Sequence, residues 1–245
     1  MKPTIVLVHG AFAESASWDR VIDSLTIEGQ TVIAAANPLR GLAADAAAVS
    51  DLVRTVDGPV VLVGHSYGGT VISTVAADTG EIAGLVYIAG FAPEPGESVL
   101  ALTARFPGST LGDALHAVPR SDGTTELFIA RDRFHHQFAA DMPAPQAARM
   151  AVTQRPVTQE ALQEPAGERP LWREVPSWFM FGEEDRTIPA ALQRFMAERA
   201  GARKSICIPD ASHAVPVAYP EATAQLILEA ARSYGSSSAR PLAKA

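Results

Sequence analysis

The sequence predicts an α/β chain: a mainly parallel six-stranded sheet flanked by helices, with a helical cap inserted between the fourth and fifth strands. Three observations predict it. Short β-branched runs alternate with helix-periodic stretches, the order that builds parallel sheets through crossover helices. Runs such as Leu85-Val86-Tyr87-Ile88 are apolar throughout, as strands buried on both faces are. The rhythm breaks once, between about Glu94 and Val175.

Taken in order, strands are expected at about 4–8, 31–35, 59–64, 82–90, 177–182 and 203–208. Thr4 already starts the first of them, so no hairpin is expected ahead of it. A helix near 17–28 gathers Trp18, Val21, Ile22 and Leu25 on one stripe. A second near 45–57 does the same with Val49, Leu52, Val53 and Val56. Residues 94–175 are rich in Pro, Ala, Gln and Arg, with helical stretches at Arg131–Ala140 and Pro145–Thr153. They form the expected cap, leaving 1–93 and 176–234 as the core domain. The Gly- and Ser-rich end, 235–245, is expected to be a disordered tail outside the fold. No internal repeat is visible.

A length of 245 residues with 47% hydrophobic content suits one sizeable buried core. The net charge of −7 comes with no basic run, which makes nucleic acid and anionic membranes poor partners. No stretch approaches the roughly 20 apolar residues of a membrane span, and Met1-Lys2-Pro3-Thr4 enters a strand at once, so no signal peptide is expected. The single cysteine, Cys207, cannot form an internal disulfide and is expected to pack in a buried strand. A cytoplasmic location follows as the expectation.

Chemistry concentrates at one junction. The run Pro59-Val60-Val61-Leu62-Val63 leads into Gly64-His65-Ser66-Tyr67-Gly68, with a helix starting behind it at Gly69-Thr70-Val71-Ile72. A serine on such a strand-to-helix turn has its hydroxyl pushed into the open. The helix N-terminus behind it aims unpaired N–H groups at whatever the serine attacks. Ser66 is therefore the candidate nucleophile, and it needs a base and an orienting acid, in the order Ser, Asp/Glu, His.

Of six histidines, His213 lies in a loop between the strand-like Lys204–Ile208 and the last helix, where a general base belongs. His9 and His65 sit within Gly-containing turns, and His9 is read as a brace for its loop. His116 is in a polar segment, and the adjacent His135 and His136 have exposed helix positions as their ordinary reading. Glu183, Glu184 and Asp185 follow the strand at 177–182; Asp185 is preferred because it leads into a helix, with Glu184 as the fallback. Asp210 neighbours His213 along the chain, but a loop neighbour rarely reaches the ring edge. Two backbone donors are needed for an oxyanion: Tyr67 N–H, and Ala11 N–H with Phe12 as the alternative.

With these residues in hand, the chain resembles an α/β-hydrolase, and within that fold the plant methylesterase and hydroxynitrile lyase group with its bacterial esterase relatives. The resemblance rests on Leu7–Ala11 with Trp18 beyond, Val63–Gly69, Leu85–Pro93, Glu184–Pro189 and Asp210–His213. It spans nearly the whole chain and is weakest between Glu94 and Val175. It implies Ser66, Asp185, His213 and Ala11 as nucleophile, acid, base and second oxyanion donor. The lyases carry a lysine directly after the catalytic histidine, where this chain has Ala214, and a threonine where it has Gly10. Both departures imply ester hydrolysis rather than cyanohydrin cleavage.

The expected activity is hydrolysis of a small carboxylic ester through an acyl-enzyme. Lyase or acyl-transfer chemistry on the same triad, or a slow-turnover ligand receptor, are the alternatives. Phe12, Phe134, Phe138 and Trp172 are candidate pocket walls, as are Leu127 and Met150. Few large aromatics in the cap point to a pocket for short acyl groups or one ring. No histidine pair has metal-ligand spacing, and neither nucleotide-loop pattern fits Gly64–Gly69, so no metal or cofactor is expected.

Overall fold

The computed structural model describes residues 1–237, with side chains through Gly235. The chain opens with β1 (Thr4–Val8), α1 (Asp19–Ile27), β2 (Val32–Ala35), α2 (Leu42–Arg54), β3 (Val60–His65), α3 (Tyr67–Thr74) and β4 (Ile82–Ile88). There follow α4 (Val99–Arg105), α5 (Leu111–Ala114), β5 (Leu115–Pro119), β6 (Thr125–Ile129), α6 (Arg131–Phe138), α7 (Ala144–Thr153), β7 (Val157–Thr158) and α8 (Gln159–Gln163). The chain then continues with β8 (Ser177–Gly182), α9 (Ala190–Arg199), β9 (Lys204–Ile208), α10 (Val215–Ala218) and α11 (Pro220–Ser237).

Six strands form one parallel sheet in the order β2-β1-β3-β4-β8-β9. Alternate side chains of a strand point to opposite faces. On β1 and β3, Val6, Val8 and Leu62 pack on the face covered by α2, α3 and α9. Ile5, Leu7, Val61 and Val63 pack on the face covered by α1 and α11. Both faces are therefore dry, which is why these strands carry continuous apolar runs. The strand order reverses between β1 and β3, where the connections leave in opposite directions and open a crevice at the carboxyl ends. The loops after β1 and β3, carrying Ala11 and Ser66, meet there.

The expected strands coincide with the observed sheet to within about two residues at every end, an uncertainty normal for element boundaries. The segment between β4 and β8 differs from its expectation. Besides helices it holds a small antiparallel sheet, β5-β6-β7. The β5–β6 hairpin turns through Asp122-Gly123, where Asp122 Oδ1 accepts from Thr124 N at 3.0 Å and Gly123 takes φ +86°. Cys207 is not buried. It lies on β9, the sheet edge, where Sγ donates to Glu183 Oε2 at 2.9 Å and accepts from Arg194. At the expected tail, Gly235–Ser237 continue α11, and 238–245 lie outside the described residues. No helix among the described residues is long and apolar enough to cross a membrane.

Candidate active site

Ser66 joins β3 to α3 with φ +54° and ψ −123°, a conformation that non-glycine residues adopt only when their surroundings over-determine it. Those surroundings are visible. Ser66 N–H donates to Ala89 O at 3.1 Å, and Ser66 O accepts from Gly69 N at 2.9 Å and Phe91 N at 3.2 Å. Close approaches complete the clamp. A Cβ on Gly68 would lie 2.4 Å from Val8 O, and one on Gly10 would lie 2.6 Å from Ser66 Cβ. Only glycine lets the β1 loop come this near the serine.

That approach brings two backbone donors together. Ala11 N–H and Tyr67 N–H have no partner among the described residues. Phe12 N–H, the alternative donor, is already given to Arg155 O at 3.0 Å, and Phe12 itself holds φ +60°. Neighbouring side chains fix the loop. His9 Nδ1–H donates to Gly10 O at 2.9 Å while Nε2 accepts from Asn37 N at 3.2 Å. Burial pushes the His9 pKa down to about 4, so the ring is neutral and its tautomer set. Behind the second donor, Tyr67 Oη donates to the buried Asp45 Oδ2 at 2.8 Å.

Asp185 and His213 meet at the ends of β8 and β9. His213 Nδ1–H donates to Asp185 Oδ2 at 2.8 Å, with both side chains buried. Asp185 Oδ1 accepts from Thr187 N and Ile188 N at 2.8 and 2.9 Å, and Oδ2 also accepts from Gln193 Nε2 at 2.9 Å. These bonds leave the carboxylate one orientation. Glu184 is exposed, and its N–H donates to Ala211 O at 3.1 Å; Asp210 is exposed as well. The imidazole of His213 lies between His65, at 4.9 Å between ring centroids, and Phe138, edge-on at 4.8 Å. His65 Nε2–H donates to His213 O at 3.0 Å, and burial holds His65 well below the ordinary histidine pKa. His213 Nε2 is buried and carries no hydrogen bond, leaving it open to a proton from outside the dyad.

Three residues the sequence did not single out support this pair. Gln193 is the first. The other two come from α6 and the turn after it. Gln137 Nε2 donates to Arg186 O at 2.8 Å, beside Asp185. Asp141 accepts from Ser212 N at 3.0 Å and from Ser212 Oγ, beside His213. α6 and the turn after it thus strap both the Asp185 loop and the His213 loop.

A cavity of about 390 Å³ opens at Ser66, Ala11 and Tyr67. Phe91, Val99, Phe106, Leu111 and Leu162 supply apolar wall, and no charged side chain lines it. Phe12 does line it; Phe134, Phe138 and Trp172 do not. Phe134 stacks on Phe138 at 5.0 Å, and Phe138 braces His213 instead of facing the cavity. Trp172 is tied back to Pro93 O through Nε1–H at 2.8 Å. Leu127 is buried on β6, and Met150 lines a separate hollow. His135 Nε2 bonds Met142 O at 2.9 Å and His136 is exposed, so neither faces the cavity. The walls lie mostly on α4, α5 and the loop between them, a stretch whose apolar residues carry no catalytic signature. No cluster of three His, Cys, Asp or Glu side chains suited to a metal occurs among the described residues.

Comparison with known proteins agrees with this architecture. Residues 5–226 match the model of the alpha/beta hydrolase family. A pyrethroid hydrolase from Sphingobium wenxiniae is 28% identical over 246 positions, covering 92% of this chain and 86% of that protein. The crystal structure of polyneuridine aldehyde esterase superposes with a TM-score of 0.79 at 18% identity, over 94% of this chain and 99% of that one. An extracellular alpha/beta-hydrolase from a Paenibacillus species, with structural and functional homology to tobacco salicylic acid binding protein 2, gives 0.75 at 24%, over 93% and 98%. The two superpositions show a shared fold. The match over residues 5–226 shows more: the chain belongs to the alpha/beta hydrolase family.

Proposed function

We propose that this protein hydrolyses small, uncharged carboxylic esters through Ser66, His213 and Asp185. His213 Nε2 takes the Ser66 proton as Oγ attacks the ester carbonyl, and Ala11 and Tyr67 N–H groups receive the oxyanion. The carbon–oxygen bond to the alcohol breaks, and the alcohol leaves with the proton held on His213. Water then gives a proton to His213 and attacks the acyl-enzyme, releasing the acid and restoring Ser66. Asp185 holds the imidazole tautomer and stabilises the imidazolium. The observation that carries this reading is the buried 2.8 Å contact between His213 Nδ1 and Asp185, with Nε2 left open, in a chain whose Ser66 is held at φ +54°. The names of the relatives, a pyrethroid hydrolase and an esterase, agree with it. Ala214, buried and uncharged after the base, offers no cation to a departing cyanide, which disfavours the lyase alternative. The segment 94–175 acts in this reading as the cap that closes the acyl site.

The test is kcat/KM over methyl, aryl and lactone esters and acyl lengths from acetyl upward, with mandelonitrile as a lyase probe. Acetyl-to-butyryl or small aromatic methyl esters are expected to lead. Ser66→Ala is expected to cost at least ~10³-fold, and a serine-directed phosphonate to label Ser66. Turnover by the Ser66→Ala protein, an optimum at twelve or more carbons, or efficient mandelonitrile cleavage defeats the proposal.

A further inference from the structure

A second hollow, of about 270 Å³, lies between residues 12–17, helix α7 and helix α10. Its apolar floor is Phe12, Met150 and Val217. Around it stand Glu14, Gln146, Arg149 and Thr153, none of whose side chains has a hydrogen-bond or ionic partner among the described residues. Gln154 also lines it, but its amide is fully occupied by Ile129 and Ala151.

Phe12 is the one residue that lines both this hollow and the Ser66 cavity. It follows the oxyanion donor Ala11 directly, its N–H is fixed to Arg155 O, and its backbone is held at φ +60°. With its backbone held in this way, Phe12 presents its side chain to both spaces. The direction matters too. In ester cleavage the alcohol oxygen must receive its proton from the base, so the alcohol half lies on the base's side of the carbonyl. The hollow's wall includes Val217 of α10, the helix that starts two residues past His213.

Building on the ester-hydrolase reading, we propose that this hollow is the subsite for the alcohol half of the substrate and that Phe12 is the partition setting how large that half can be. The acyl half then occupies the uncharged 390 Å³ cavity. The alcohol class that fits is amphiphilic: a ring or short chain over Phe12, Met150 and Val217, with hydroxyl or ether oxygens reaching Gln146, Arg149 and Thr153. A methyl ester leaves the subsite empty, whereas a benzyl-type alcohol fills it.

The experiment uses the full chain and one acyl group, butyrate, on three alcohols: methanol, benzyl alcohol and 1,4-benzenedimethanol as its monoester. The readout is the ratio of kcat/KM for each aryl ester to that of methyl butyrate. Met150→Trp fills the subsite and is expected to lower the benzyl-to-methyl ratio at least tenfold. Phe12→Ala removes the partition and is expected to raise that ratio severalfold. Gln146→Ala with Arg149→Ala is expected to erase the advantage of the hydroxylated ester over the plain benzyl ester. The first two variants act in opposite directions, so if one does not fold the other still decides. Ratios within twofold of the parent in every folded variant overturn the inference. Failure of the underlying reading looks different: the parent hydrolyses none of the three esters, or Ser66→Ala hydrolyses them equally well.

Discussion

Gly10 shows how a single residue can decide local geometry: in this chain a Cβ there would lie 2.6 Å from Ser66 Cβ and 2.8 Å from His65 O, so the glycine lets the first loop bring Ala11 N–H close to Ser66. Asp185 shows the same economy with polar groups. Its four accepted hydrogen bonds mark it, and not the exposed Glu184, as the residue joined to His213. Asp185→Asn is therefore expected to lower kcat by about 10²–10⁴-fold, as loss of an orienting acid does, while Glu184→Gln stays within about twofold of the parent. The reverse pattern in kcat rejects the pairing. His9 leads to a pH prediction. Burial lowers its folded pKa to about 4 from the ordinary histidine value of about 6.5, so the unfolded chain binds this proton at higher pH than the native protein does. Stability from this group is therefore complete above 6.5 and is lost as pH falls from there towards 4. His65, shifted the same way by burial, adds to the loss. From pH 7 to pH 5 the unfolding free energy is expected to fall by about 2 kcal/mol from His9 alone. Urea titrations at the two pH values measure it, and equal stability at both contradicts a buried neutral ring.

At the scale of elements, α6 and the turn after it tie the Asp185 and His213 loops to the segment between β4 and β8. Gln137 reaches Arg186 O, Asp141 reaches Ser212, and Phe138 rests on the His213 ring. Such a helix cannot swing away as a lid without releasing the Asp185–His213 pair. The stretch between α4 and α5 is tied to the same supports: Thr110 N–H donates to Arg186 O at 3.0 Å, Thr110 Oγ1 to Gln137 Oε1 at 2.8 Å and Ser109 Oγ to Thr187 O at 2.9 Å. Asp141→Ala is expected to lower kcat about tenfold or more with KM nearly unchanged, and Asp141→Asn, which keeps an acceptor for Ser212 N–H, to recover most of it. A loss in KM alone, or no recovery with asparagine, argues against positioning. The same elements mark what sequence can and cannot carry. Strands β1, β3, β4 and β8 were legible because burial on both faces forces unbroken apolar runs. The strand-end positions of Ser66, Asp185 and His213 were legible because each follows a short apolar strand run. The hairpin β5–β6 leaves a weak pattern because its strands are short and half exposed, although Asp122-Gly123 is a turn signal. Gln193, Gln137 and Asp141 were not legible. Their roles exist only through partners 8, 49 and 71 residues away, and no local pattern records such a contact.

The whole molecule sets a condition on charge that neither residues nor elements state alone. The chain carries a net charge of −7, and the cavity at Ser66 has no lysine or arginine in its walls. An ester bearing a second, ionised carboxylate meets two penalties. The first is long-range repulsion from the acidic surface, which salt screens over a Debye length of about 10 Å at 0.1 M. The second is loss of water from a carboxylate that gains no cation in exchange, a cost of several kcal/mol that salt does not touch. Since about 1.4 kcal/mol is one factor of ten, the second penalty alone predicts at least ~10²-fold discrimination. The comparison is methyl phenylacetate against its ring-carboxylated analogue at pH 7, both measured by kcat/KM at low and at 0.5 M salt. The neutral ester is expected to lead by at least ~10²-fold, and salt to narrow the gap only by the screened portion. If high salt abolishes the gap, discrimination resides in the surface field. If the gap is absent at both salt levels, the carboxylate finds a cation, and the uncharged cavity is not where the acyl group binds.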